Sequence, residues 1–190
     1  MAIDVLHYHL TCSEEEFQAL NSDPILPDDM IPPAFFHYNF CCYDYEDILP
    51  HLFIKMVTHT FGKKEFEMSK LCRFVLTVRK NYRPIHYHNW QHGFHVAHQV
   101  WRLMELSGVK CTKLEKMALL IGGVCHDVDH RGYNNEYFKK LKHPLAALYS
   151  TSVMEQHHYK QTITILHEEG HDIFSTLSVQ QHKQVLELIR

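Results

Sequence analysis

The chain has 190 residues, 45% of them hydrophobic and 22% charged, enough to bury a core of about one domain. With 19 Lys plus Arg against 22 Asp plus Glu the net charge is -3, so the charge balance favours neither nucleic acid nor an anionic membrane as a partner. The longest near-apolar run, Met117 to Cys125, falls far short of the roughly 20 residues that span a bilayer, Met1 to Leu10 has no cationic flank or cleavage pattern, and six cysteines without C-x-x-C spacing predict free thiols in a cytoplasmic protein.

Ser13 and Glu16 form a capping-box pattern, which predicts a short helix from about Glu14 carrying Phe17 and Leu20. Asn21 to Pro33 holds four prolines and three aspartates with little periodicity and reads as a loop, so residues 1–45 are a lead-in, within the same domain, to the body over 46–190. Ile48, Leu52, Val57 and Phe61 recur near helical spacing as far as Gly62. Leu71, Phe74, Val75 and Val78 stand at i, i+3, i+4 and i+7, one buried stripe of a helix over about 69–80 that Pro84 must follow as a break. Phe94, Ala97, Val100, Trp101 and Met104 predict another over about 89–106. Thr112 and Glu115 make a second capping box, opening a helix expected to run to Gly132. Pro144 starts a further helix expected to continue through Val153 and Leu166 to Gly170. Ser178 and Gln181 open one more, which reaches Arg190 without Gly, Pro or cap and so reads as cut in mid-element. No region keeps strand period for long, and the fold class is therefore all-α.

Histidine is the outlier, 18 of 190 residues. On a helix, His88, His92 and His95 would share a narrow stripe with Gln99, while Phe94, Val100 and Trp101 face the core. The i, i+4 spacing lets two imidazoles converge on one metal ion. A second cluster, Cys125-His126-Asp127-Val128-Asp129-His130-Arg131-Gly132, follows the apolar run Leu119 to Val124, so a buried helix delivers ionisable groups to the interior or a cleft. Unpaired charges there are costly. A divalent cation is the simplest compensation, mutual pairing of acids and bases the alternative. His126, Asp127 and His130 would span one arc of that helix, with Asp129 on the other side. Mixed imidazole and carboxylate ligands fit Zn, Mn or Fe in an open, catalytic site rather than a thiolate zinc finger.

Glu155, His157 and His158 form a third group for which a solvated patch is an equal reading, and the pairs His7/His9 and His167/His171 read as non-functional. Glu14, Glu15 and Glu16 suit a solvated first turn. There is no G-x-S-x-G elbow and no phosphate-binding glycine loop, and Cys125 lies in an apolar helix where a thiol is inert.

Tyr87-His88-Asn89-Trp90-Gln91-His92, followed by His126-Asp127-Val128-Asp129-His130-Arg131-Gly132, resembles the paired metal-site motifs of class I 3′,5′-cyclic-nucleotide phosphodiesterases. Val5 to Leu20, Leu71 to Pro84, His143 to Leu166 and Glu169 to Ser178 look most like the type-ten, dual-specificity branch of that family. The resemblance implies the multi-helix phosphodiesterase fold of the HD-type metal phosphohydrolases, with 46–190 as the N-terminal portion of the catalytic domain. It also implies two divalent ions, Zn with Mg or Mn. Carried over by motif, His92, His126 and Asp127 are metal ligands, Asp127 bridges to the second ion, and His88 is the general acid. Tyr87, His130 and Glu155 match positions that support the ligands or contact water and substrate.

The reaction implied is attack of a metal-bridging hydroxide on a cyclic-nucleotide phosphorus, with His88 protonating the departing 3′ oxygen to give a nucleoside 5′-monophosphate. Gly93 stands where the family commonly carries Ala, and His95, unusual at its position, is a competitor for metal. The family's further metal-binding Asp, purine-reading Gln and hydrophobic clamp would lie after Arg190. The expectation is thus an N-terminal fragment that binds metal weakly and turns over little substrate, with homodimerisation left to a longer form. Another HD-type phosphohydrolase and an inactive metal-binding fragment are the alternatives.

Overall fold

A computed structural model describes residues 10–190, so the His7/His9 pair lies outside the described residues. Among the described residues, nine α-helices and three short 3-10 turns account for the regular structure and no strand occurs. Helix α1 (Glu14–Ser22) opens with a closed capping box: Ser13 accepts from the Glu16 amide while the Glu16 carboxylate accepts from the Ser13 amide. Phe17 and Leu20, on its inner face, are buried. The Pro-rich stretch read as a loop contains 3-10 turns at Asp28–Met30 and Pro33–Phe36. Leu26, Ile31 and Phe35 join the same core as the later helices, so this stretch is packed rather than a free linker.

Helices α2 (Leu49–Phe61) and α3 (Met68–Asn81) form as their periodicity predicts, and Leu71, Phe74, Val75 and Val78 lose all contact with solvent. Helix α4 (Trp90–Leu106) starts from Asn89, whose side chain accepts from the His92 amide. Because the chain is not helical before Trp90, His88 lies outside α4 and the expected stripe of three histidines on one helix does not exist. Phe35 stacks on Trp101 of α4 with ring centroids 5.1 Å apart, and the His98 Nε2–H donates to Phe35 O at 2.7 Å.

Helix α5 (Lys113–Cys125) opens with the expected capping box at Thr112. It stops at Cys125 rather than Gly132, because Asp129 takes a left-handed backbone (φ 58°) and sends its amide to Asn81 O at 2.9 Å. His126, Asp127 and His130 are therefore on a loop, not on one arc of a helix. Helices α6 (Asn135–Lys140) and α7 (Pro144–Leu148) are short, and α6, capped by Asn134, was not expected. The long helix expected from Pro144 is broken: the chain leaves helical geometry at Tyr149, and Ser152 is left-handed (φ 46°) before α8 (Val153–His167) begins. Ser150, Thr151 and Ser152, residues whose side chains compete for backbone hydrogen bonds, mark that break in the sequence. Helix α9 (Val179–Ile189) carries its capping box at Ser178 and packs Val185 inward.

Two helices bring the histidine motifs together. Helices α4 and α5 approach so closely that a Cβ on Gly123 would lie 3.1 Å from the Cα of Ala97. His92 is at the start of α4 and His126 immediately past the end of α5, so this crossing brings the first motif against the second.

Candidate metal centre

His92 Nε2, His126 Nε2 and an Asp127 oxygen converge. His92 Nε2 lies 3.2 Å and His126 Nε2 3.0 Å from Asp127 Oδ2, and the two imidazole nitrogens are 3.2 Å apart. Ligands about 2.0–2.2 Å from a zinc ion stand at comparable spacings along the edges of its tetrahedron.

Ring orientations follow from partners whose roles are fixed. A carbonyl can only accept, so the 2.8 Å bond to Gly123 O puts a proton on His126 Nδ1, and the 2.7 Å bond to Val128 O puts one on His158 Nδ1. In their neutral forms both rings hold an Nε2 lone pair, and each Nε2 lies beside Asp127, His158 Nε2 being 3.6 Å from Oδ1. Lone pairs aimed at a carboxylate repel it unless a cation or a proton lies between them, so this donor set fits a divalent metal. Competition with a proton is visible in the acid–base balance. Burial disfavours charge on His126, yet the Asp127 carboxylate more than offsets it and raises the imidazole above its ordinary value. Burial would raise Asp127, but the hydrogen bond and charge of His126, with His158 and His130 beyond it, lower it to about 2. Burial and the neighbouring His126 lower His92.

His130 has the opposite orientation. The Gly132 amide donates to its Nδ1 at 2.9 Å, so the neutral ring carries its proton on Nε2 and is a donor rather than a metal ligand. Asp127, His130 and His158 nonetheless form a second group of converging atoms, adjoining the first through Asp127. The His88 ring stacks on His130 with centroids 3.8 Å apart and meets His92 edge-on at 5.6 Å. Tyr87 is exposed and lays its ring against His92 at 4.6 Å. Glu155 accepts from Asn135 Nδ2 at 2.9 Å and shares with His126, Asp127 and His158 the wall of a cavity of about 550 Å³.

The structure thus places His88, His92, His126, Asp127, His130, Tyr87 and Glu155 around one centre. His95 does not join either converging group: its half-buried ring leaves Nδ1 without a hydrogen bond among the described residues. Of the groups left open by the sequence, His157 and His158 are buried rather than a solvated patch. Their position after a Glu on a helix was the only signal, and the fold alone shows their partners. The fully buried Asp129 carboxylate accepts from His157 Nε2 at 2.7 Å, Arg83 Nε at 2.6 Å and Arg131 at 3.1 Å, which holds the loop to α8 and to the segment just past α3. His171 is buried with Nε2 2.8 Å from Thr77 Oγ1 and is not among the converging donors. The Cys125 thiol is buried and pushed up to about 12 by desolvation, in keeping with an inert role. No helix among the described residues is long and apolar enough to cross a membrane.

The sequence profile described as 3′5′-cyclic nucleotide phosphodiesterase matches residues 87–190. Over its whole length the chain is 42% identical to a probable 3′,5′-cyclic phosphodiesterase of Caenorhabditis elegans, covering 26% of that protein. It is 37% identical to a cGMP-specific 3′,5′-cyclic phosphodiesterase of Drosophila ananassae and 36% identical to that of Drosophila melanogaster, covering 17% of each. The chain therefore spans about a quarter or less of the length of these relatives.

Proposed function

We propose that this chain, which belongs to the 3′,5′-cyclic nucleotide phosphodiesterase family, serves metal-dependent hydrolysis of a 3′,5′-cyclic nucleotide to the nucleoside 5′-monophosphate. The observation that carries the reading is the convergence of His92 Nε2, His126 Nε2 and Asp127 Oδ2, each 3.0–3.2 Å from the others, with His126 and Asp127 also lining a cavity. His92, His126 and Asp127 would hold a zinc ion, and Asp127 would share a second ion, magnesium or manganese. Bound there, such cations supply Lewis acidity toward phosphate oxygens and activate water near neutral pH.

The chain's own residues supply orientation and proton transfer. His88, seated on the His130 ring, is the proton donor to the departing 3′ oxygen, which leaves poorly as a free alkoxide. His130 offers its Nε2–H to a water or phosphate oxygen, and Glu155 accepts from water on the cavity wall. Tyr87 packs its ring against His92 and meets His88 in a T-shaped contact, which helps hold both imidazoles in place. The likeness to cGMP-specific phosphodiesterases of flies favours cGMP as substrate, and the type-ten likeness favours acceptance of both cGMP and cAMP. A cytoplasmic setting fits either.

The test is hydrolysis of cGMP, cAMP and linear nucleoside monophosphates with zinc and magnesium present, by this chain or any longer form of the protein that contains it. The reading expects 5′-monophosphate as product and loss of turnover in both His88→Ala and Asp127→Ala. Turnover that survives both substitutions, or that is confined to linear monophosphates, contradicts it.

A further inference from the structure

Helix α5 ends directly at the metal-site loop, so its last carbonyls need partners that no further helical turn supplies. Gly123 O takes the His126 Nδ1–H at 2.8 Å, and Cys125 O takes the Val128 amide at 3.1 Å. The carbonyl between them, Val124 O, takes the phenol of Tyr82 at 2.9 Å. Tyr82 is the residue that ends α3, and it is buried. The same Tyr82 oxygen accepts from the Asp127 amide at 3.3 Å. One hydroxyl therefore donates to the end of α5 and accepts from the backbone of Asp127, using both of its roles. Burial pushes this phenol well above the usual tyrosine range, which keeps the donor proton in place.

The ring reaches this position because residue 93, next to His92 on α4, is glycine. A Cβ there would lie 2.5 Å from Tyr82 Oη and 2.6 Å from Cζ. Tyr82 is thus wedged between the helix that carries His92 and the loop that carries Asp127. Asn81, beside it in sequence, accepts from the Asp129 amide at 2.9 Å, so two consecutive residues at the end of α3 grip the loop at two points.

We infer that Tyr82 is a positioning residue for the metal centre: its hydroxyl, seated against Gly93, fixes the Asp127 backbone to the end of α5 and so sets the Asp127 carboxylate opposite His92. The inference rests on the metal-site reading above. Groups that orient metal ligands change affinity by about 10–100-fold when removed.

Tyr82→Phe removes the hydroxyl and keeps the ring. Zinc affinity is measured by competition with a chromophoric chelator, alongside far-UV circular dichroism and the melting temperature with and without zinc. The expected result is unchanged helix content, zinc binding about 10–100-fold weaker, and a smaller zinc-induced rise in melting temperature. If Tyr82→Phe lowers the melting temperature of the metal-free and zinc-bound forms alike while zinc affinity stays at the unaltered value, the role is purely structural and the inference is overturned. An unaltered chain that is folded and takes no zinc overturns the metal-site reading itself. Should Tyr82→Phe not fold, hydrogen exchange of the Asp127 amide in the unaltered chain decides the matter. Protection before zinc is added supports the anchor, and exchange at the rate of an unstructured amide overturns it.

Discussion

Replacing Asp129 by alanine would remove the centre of a buried network. Its carboxylate has no exposed surface and accepts from His157, Arg83 and Arg131. Taking one partner from a buried ion pair costs about 3–5 kcal/mol. The Arg83 and Arg131 side chains keep 27% and 12% of their exposure, so water reaches both and the loss falls near the low end, about 3 kcal/mol. Alanine in a left-handed backbone adds about 1 kcal/mol, giving about 4 kcal/mol in all. Asparagine tolerates that backbone and keeps an acceptor for His157, so Asp129→Asn should cost about 1–2 kcal/mol. Equilibrium urea unfolding of the three proteins measures both values. Burial would raise the Asp129 carboxyl, but the His157 bond and the guanidiniums of Arg131 and Arg83 hold it below the ordinary range. The charge's contribution is therefore complete above the unfolded value of about 3.9 and is lost as pH falls through the folded one, so the gap to Asp129→Asn narrows below about pH 4. Losses below about 1 kcal/mol for both variants at neutral pH would refute the reasoning.

Gly123→Val sets a branched side chain against the Ala97 backbone, 3.1 Å from where its Cβ must stand, and should cost about 1–3 kcal/mol by urea unfolding while weakening zinc binding through displacement of His126. His88→Ala should leave zinc affinity within about twofold, since His88 is not among the converging donors, yet remove hydrolysis, as paired calorimetry and product assays would show. The Ser13 backbone bond, outweighing burial, and then the Ser13 hydroxyl and Lys80, lower Glu16 to about 2. Because that value lies below the unfolded one, Glu16 stabilises fully above about pH 4.5 and ceases to do so as pH falls toward 2, so the melting-temperature gap between the unaltered chain and Glu16→Gln should close over that window. The effect stays below about 1 kcal/mol, since the side chain is 35% exposed.

Local rules carried much of the fold. Each of the three capping boxes, at Ser13, Thr112 and Ser178, opens a helix where the side-chain chemistry says it should. Apolar period placed the α3 stripe through Val78 in the core. The failures lie where long-range contacts override local pattern. Nothing near Gly132 ends α5 early; the bond from Asp129 to Asn81, far upstream, does so. His88 shared a helical spacing with His92, yet Asn89 caps the helix between them, a signal present in the sequence and outweighed there by the spacing. The motif residues stood out because Tyr87 to His92 and His126 to Gly132 resemble paired family motifs, and the fold brings His92, His126 and Asp127 together. Their support was not: Tyr82 is 45 residues from Asp127, and Asp129 with His157 are 28 apart, distances across which no periodicity speaks.

The most direct measurement is a calorimetric zinc titration of the unaltered chain beside His92→Ala and Asp127→Ala, with helix content followed by circular dichroism. Saturable, stoichiometric zinc binding in the unaltered chain, lost in both variants at preserved helix content, is the predicted result. A folded chain that binds no zinc, or variants that bind it as tightly as the unaltered chain, would contradict the claim that His92, His126 and Asp127 form a metal centre.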